Sequence, residues 1–414
     1  MSRARLSRDH FPPGFFDLPQ NAGGTLPLAI ISAWTASAQT HDIARTLLTP
    51  HVLRGIVVSS DSAGLTRLGR ERPLIEILAM IGHPKEIIHA LGRAVHGRPI
   101  GVWAADNTQM FYPSDIHAER VVSMLHTTML RIASECELGI GMAAHAGEFF
   151  ELGGAVYGAD AARVETVAEE HTEGGELVIT GDLALRLPAS HGFALEPRTD
   201  LEAQYGAIHR VISGPTLDNL DASDVAYPAP YSSEFSSGMA EYTHTRRNSR
   251  MPRHAYQDLA VVLIECEPEA PDIPEVAVLN NLALTAAMKR MGQSLLGALD
   301  GREVKNAGLL GIYTFADCRV AIEFAQRFRD AFAEQSVQCR IGIDAGPVLV
   351  FDLGLDSHDI AGSAVNVASK LAQDVGEYGR IQCSDAVALR AGVRRTRPTL
   401  TFKVSGVELR AYDV

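Results

Sequence analysis

An internal duplication sets the architecture of this chain. Val57-Val58-Ser59-Ser60 is a buried-strand run closed by Asp61, and a second acid, Asp106, follows a further β-like run. Roughly 200 residues later the pattern returns with Glu265 and Leu309 in those two places. In exchange the second copy gains Lys305 in a hairpin, and Asp359, Asn366 and Lys370 in a strand-loop-helix segment. A chain that repeats itself in this way builds two related domains. Carboxylates in one copy and a Lys/Asp/Asn/Lys set in the other point to a single composite site.

The length of 414 residues suits two domains of ordinary size. Residues 1–52 read as an N-terminal lead-in, 53–213 as the first domain, 214–256 as a Pro/Ser/Asn/Thr-containing linker and 257–414 as the second domain. Within the lead-in, Leu26 to Thr49 mixes apolar and small residues and fits either a packing helix or an extra strand. Helical spacing from Pro73 to His96, with His83-Pro84 as a break, predicts two helices after the first strand. The stretch Cys339–Phe351 reads as a hairpin. The resulting order, βααββαβ with a further αβ, predicts α+β domains with mainly antiparallel sheets.

The net charge of −13 argues against a nucleic-acid or anionic-membrane partner, because both require basic surface. No apolar run has membrane-spanning length. The five cysteines are odd in number, widely spaced and without a CxxC pair, which indicates neither a disulfide framework nor a zinc site. A reduced cytoplasm is the natural location for such a chain.

Two carboxylates at neighbouring strand ends, Asp61 and Asp106, are able to share a pair of magnesium ions that activate a hydroxyl and neutralise phosphate charge. Gly64 fits a turn that presents backbone N–H groups to phosphate oxygens. Against this stands a plainer account: Asp61 caps a helix beginning near Leu65, and Asp106 marks a β-turn. Taken alone each acid fits the plainer account; the matched positions in a duplicated pattern favour the chemical one. Polar residues such as Asn366 and Lys370 on a helix are usually only solvated, and it is their spacing from Asp359 that singles them out.

The stretches Arg340-Ile-Gly-Ile-Asp344-Ala-Gly346 and Asp359-Ile-Ala-Gly362-Ser-Ala-Val-Asn366-Val-Ala-Ser-Lys370 closely resemble the signature of class III nucleotidyl cyclases, R-hydrophobic-G-I-H-x-G followed by D-x-x-G-x-x-V-N-x-A-S-R. The hairpin Gly301-Arg-Glu-Val-Lys305-Asn-Ala-Gly308 resembles that family's K-x-x-G-D turn. The resemblance spans roughly 53–213 and 257–414, and it is weaker in the first half. It implies ferredoxin-like cyclase domains paired head to tail within one chain. It also implies two Mg²⁺ or Mn²⁺ ions on Asp61 and Asp106, adenine selection by Lys305 and Asp359, ribose orientation by Asn366 and transition-state stabilisation by Lys370. An amine donor beside a carboxylate acceptor complements adenine N1 and its N6 amino group.

Where the second half holds these residues, the first half holds Val102, Ala162 and Thr166, although another register would bring Arg163 to the last position. Three departures stand out. Lys370 replaces the family arginine, Gly141 occupies the place of an arginine that grips phosphate, and Val404-Ser405-Gly406 replaces L-K-G, leaving Lys403 for the terminal phosphate. The resemblance implies a soluble adenylyl cyclase that makes 3′,5′-cyclic AMP and pyrophosphate from ATP. The departures support an alternative, a nucleotide-binding pseudocyclase that regulates a partner. A purely structural duplication is the third reading. His145 and His358 are assigned to packing or loops.

Overall fold

The computed structural model describes residues 26–63, 72, 74–101, 103, 107–218, 220, 225–229, 237–239, 241, 254–268, 272–354, 357–394, 398–404 and 407–414. Gly64, Val102 and Asp106 lie outside them. The chain divides into two compact units, Leu48–Met251 and Met1–Leu47 with Pro252–Val414. None of the described helices is long and apolar enough to cross a membrane.

In the first unit β1 (Val52–Ala63) is followed by α3 (Leu74–Ala94), β2 (Arg98–Pro99), β3 (Thr108–Pro113), α4 (Ala118–Glu135), β4 (Gly139–Leu152), β5 (Ala155–Tyr157) and α5 (Ala159–His171). Then come β6 (Leu177–Thr180), the short helix α6 (Gly181–Ala184), β7 (Ala194–Pro197), the single turn α7 (Glu202–Tyr205) and β8 (Ile208–Ser213). Two helices precede this unit, α1 (Leu28–Thr35) and α2 (His41–Leu48). The sheet runs β2-β3-β1-β4-β6-β8-β7, with β5 paired to β4. Only β4–β6 is a parallel pair. β1 is buried on both faces, which is why Gly55 to Ser60 is apolar or small without alternation. Val57, Phe111 and Ala143 pack under Val164 and Val167 of α5.

The second unit repeats the plan with β9 (His254–Cys266), α8 (Pro274–Leu296), β10 (Gly301–Ala307), β11 (Leu310–Phe315), α9 (Cys318–Ala333), β12 (Cys339–Gly354), β13 (Ser357–Ala361) and α10 (Ser363–Ser369). A π-helical turn, Lys370–Val375, continues α10 and leads to β14 (Ile381–Ser384), α11 (Asp385–Ala391), β15 (Leu400–Val404) and β16 (Val407–Asp413). Its sheet order, β10-β11-β9-β12-β14-β16-β15 with β13 on β12, is position for position that of the first unit. Val261, Leu263, Ile312 and Val348 pack under Ala364 and Ala368 of α10. Tyr313 and Phe315 pack instead against Phe324 of α9, which leads into a stack of Phe328 and Phe332.

Three sequence expectations need correction or refinement. A single helix, α3, spans the expected break, with Pro84 inside it. An interior proline costs about 3 kcal/mol, but Ile77, Ile81, Ile87, Ile88 and Leu91 are all buried along this helix. Each such side chain contributes about 1.5–3 kcal/mol, so the buried face outweighs the defect. Among the described residues one helix, α3 or α8, stands between the first two strands of each copy. Likewise Cys339–Phe351 is no hairpin but most of one strand, paired with β9 along its length. Pro347 is tolerated there because β14 pairs only with Ile341–Ile343 and β13 begins its pairing at Leu349. Its missing N–H falls in the gap between them. Third, residues 26–47 are helical and belong to the second unit: Trp34 is fully buried and its Nε1–H donates to Asn280 Oδ1 on α8, 2.8 Å away.

Candidate active site

Lys305 and Asp359 meet on two short strands of the second unit. β10 carries an irregularity between Glu303, opposite Tyr313, and Lys305, opposite Ile312. A bulge of this kind re-aims the side chain that follows it, and Lys305 comes to share the face of Ile312, the face covered by α10. β13 folds back on β12 and sets Asp359 opposite Phe351. Lys305 Nζ donates to Asp359 Oδ2 at 3.1 Å, and the Ile360 N–H donates to Asp359 Oδ1 at 2.9 Å. The carboxylate is 8% exposed and the ammonium group's side chain 35%. A buried, oriented acceptor beside a donor with protons to spare can recognise a planar donor–acceptor edge.

Gly362 opens α10 with φ 149°, and Gly158 opens α5 with φ 115°. Only glycine adopts this backbone region freely, so the two helices start at matched points. Ala162 and Thr166 therefore stand where the second unit has Asn366 and Lys370. Arg163 is engaged elsewhere, with Asp182 Oδ2 at 3.2 Å. Asn366 is exposed, and Lys370 lies one turn further along and begins the π-helical turn. π-turns are rare and recur at functional sites. The Lys370 ammonium donates to Asp374 within that turn. Lys403 lies on β15, opposite Glu408, at the far edge of the sheet from β10. The described contacts thus bring Lys305 and Asp359 together and place Asn366 and Lys370 on one helix, without drawing Lys403 to them.

In the first unit Asp61 lies near the end of β1, opposite Gly141 of β4. The neighbouring Ser60 and Thr108 hydroxyls hydrogen bond across β1 and β3 at 2.6 Å. A Cβ on Gly141 would meet Thr172 Oγ1 at 2.0 Å, so a side chain there requires Thr172 to shift. The second unit has the reverse. Glu265, at the equivalent point of β9, faces Arg340, whose Nε and Nη2 approach Glu265 Oε2 at 2.9 and 2.8 Å. The guanidinium also lies 4.9 Å from the Tyr378 ring centroid. Burial pushes the Glu265 carboxyl up, and Arg340 opposes the shift. Leu309 offers no metal ligand in the place of Asp106, only a carbonyl that accepts from Cys266 N–H at 3.0 Å. A hard divalent cation needs oxygen donors. Asp61 supplies one without a cationic side chain on the facing residue, whereas Glu265 is held by an arginine. The donor chemistry of the first unit therefore fits such an ion. Among the described residues no cluster of three or more His, Cys, Asp or Glu stands ready to hold a metal.

The packing role expected for His145 is seen in the middle strands, where its partners and the burial of Asp344 were not foreseen. His145 on β4 is buried, with Nδ1 2.8 Å from Thr180 Oγ1 and Nε2 3.2 Å from Asp160 Oδ1. Asp160 also accepts the Glu148 N–H at 3.0 Å. Burial pushes Asp160 up, but its bonds to His145 and Glu148 outweigh burial and leave it below the ordinary range. At the same point of β12 stands Asp344, buried and hydrogen bonded by the Ser384 hydroxyl. Burial pushes Asp344 up to about 6. The available signal was its position: both residues fall where the cyclase signature has histidine.

The catalytic-domain model of adenylate and guanylate cyclases matches residues 307–407. No curated protein matches the chain by sequence. Among solved structures, a class III adenylyl cyclase-like ATP-binding protein from Pseudomonas aeruginosa aligns with 82% of this chain and 85% of its own, at 12% identity and a TM-score of 0.54. The adenylyl cyclase CyaB from the same organism aligns with 39% of this chain and 95% of its own, at 18% identity and a TM-score of 0.33. For an adenylate/guanylate cyclase/hydrolase from Silicibacter pomeroyi the figures are 39%, 98%, 23% and 0.34. The first of these shares the fold across both units. The cyclase catalytic-domain match is confined to residues 307–407, within the second unit.

Proposed function

We propose that the chain is an adenylyl cyclase that converts ATP into 3′,5′-cyclic AMP and pyrophosphate at one composite site to which both domains contribute residues. The observation that carries this reading is the Lys305–Asp359 pair at 3.1 Å. The ammonium group donates to adenine N1 and the carboxylate accepts from the N6 amino group, a pattern that guanine does not match. Asn366 orients the ribose. The 3′-oxygen attacks the α-phosphorus in line as pyrophosphate leaves, and Lys370, released from Asp374, meets the charge that develops. Gly64 offers its backbone N–H to the phosphates, and Lys403 is the candidate for the terminal one. Two Mg²⁺ or Mn²⁺ ions, held by Asp61 and Asp106, would lower the 3′-hydroxyl pKa and neutralise the triphosphate.

A second reading is favoured by the hold of Asp374 on Lys370 and by the glycine at 141, which removes a phosphate-gripping cation. In it the chain binds nucleotide and regulates a partner without turnover. The structural relative that spans both units is itself described as an ATP-binding protein. Product formation from ATP and, separately, GTP with Mn²⁺ or Mg²⁺ tests the two, using wild type and Asp106→Ala. Cyclic AMP that disappears in the variant supports the enzyme. Metal-dependent ATP binding without cyclic product supports the pseudocyclase.

A further inference from the structure

Cys266 is the last residue of β9 and Cys339 the first of β12, and the register sets them directly opposite each other. Facing residues in an antiparallel pair alternate between positions that exchange backbone hydrogen bonds and positions that do not. At the latter the Cα atoms approach to about 4.5 Å and the side chains come closest. The Cys266 N–H points away from β12, to the Leu309 carbonyl. One step further along, the Glu267 N–H donates to the Gln338 carbonyl at 2.8 Å. Cys266 and Cys339 thus hold a non-hydrogen-bonded position, and a Cα separation of about 4.5 Å lies within the range that a disulfide requires. The two sulfur atoms are 2.9 Å apart, and both residues are buried.

We propose that Cys266 and Cys339 are a modification site: a dithiol that closes into a cross-strand disulfide when the chain meets a small-molecule disulfide such as oxidised glutathione. One cysteine thiolate attacks a sulfur of the oxidant, its S–S bond breaks and one glutathione thiolate leaves. The second cysteine then attacks the protein sulfur of the mixed disulfide and expels the other glutathione. The protein loses two electrons and two thiol protons, and the oxidant gains both as two thiols. Burial pushes the Cys266 thiol well up, which makes exchange slow once the strands are packed. The bond therefore forms as the strands pair, or when their ends fray. It closes a loop holding α8, β10, β11 and α9, and so ties down the hairpin that carries Lys305. The pairing is invisible in sequence because the partners are 73 residues apart.

The test is to refold the reduced full-length chain in reduced and oxidised glutathione, quench thiols by alkylation, and map the digest by mass spectrometry. Expected are a Cys266–Cys339 cross-linked peptide two hydrogens lighter than its parts, alkylated Cys136, Cys318 and Cys383, and a higher Tm than that of the chain refolded under dithiothreitol. Both cysteines recovered as alkylated thiols or glutathione adducts, or a linkage to another cysteine, overturns the proposal. The single variant Cys266→Ser should lose the redox-dependent Tm difference while keeping the fold by circular dichroism. A difference that persists in it also overturns the proposal.

Discussion

The two domains share strand order, yet around two matched polar positions they hold different partners. Asp61 faces a glycine backed by Thr172, whereas Glu265 faces an arginine backed by Tyr378. His145 binds Thr180 and Asp160, whereas Asp344 takes a hydrogen bond from Ser384. The sheet does not dictate these choices, since both copies build it. In one copy the residue facing the strand-end carboxylate is a glycine, and in the other it is an arginine that pairs with it. Divergence after duplication has fallen on the residues that decide where positive charge comes from.

The largest effect expected from this contrast concerns the acids. Asp61→Asn should lower cyclic AMP formation at least about 100-fold, about 3 kcal/mol of transition-state stabilisation. Glu265→Gln should leave the metal-concentration dependence unchanged. Equal loss from both, in assays titrated with Mn²⁺, would show that the two strand ends are not specialised.

Transplanting the arginine probes the packing side. Gly141→Arg should cost about 2 kcal/mol in urea unfolding because its side chain collides with Thr172. Adding Thr172→Gly should restore at least half of that, a coupling that a double-mutant cycle measures. An additive cycle would mean that Thr172 is not what excludes the arginine.

Asp344 supplies a pH test. Its carboxyl titrates at about 6 in the folded chain, above the usual value of about 4. The folded state therefore holds this proton more tightly than the unfolded one. The contribution of this group to stability is greatest below about pH 4, falls as pH rises to about 6, and stays lowered above that. Asp344→Asn removes the buried charge and should raise stability by about 2 kcal/mol at pH 8, with little change at pH 4. Thermal melts across pH check this, and a uniform shift at every pH would contradict it.

The smallest effect is at Lys370. Restoring a planar two-pronged cation with Lys370→Arg should raise kcat about fivefold, about 1 kcal/mol. A drop in kcat, measured with saturating ATP, would show that this site has adapted to the ammonium group.

Much of the fold was legible because periodicity and glycine punctuation are local signals. α4 buries Val121, Val122, Leu125, Met129 and Ile132 at helical spacing, and the hairpin read around Lys305 appears as β10 and β11. The failures came where tertiary contacts override a local rule. Pro84 remains in a helix because burial on both sides outweighs it, and Pro347 remains in a strand because a gap in pairing receives it. The motif spacing singled out Lys305 and Asp359, which the fold brings within hydrogen-bonding distance. The Glu265–Arg340 pair, the buried His145 and Asp344, and the engagement of Lys370 by Asp374 depend on partners that only folding brings close.

The Trp34–Asn280 contact has a consequence for how the molecule is made. A nascent chain appears N-terminus first, and the partner of α1 is encoded 246 residues downstream. At about 5–20 residues per second, Ile31 and Trp34 leave the ribosome roughly 10–50 s before α8 exists to cover them. All of Leu48–Met251 is synthesised in that interval. Helix α1 is thus a waiting piece, apolar and unhoused, whose docking must follow production of the second domain. A truncated translation product that stops short of α8 leaves it permanently exposed, a mark by which quality-control machinery distinguishes the unfinished chain from the finished one.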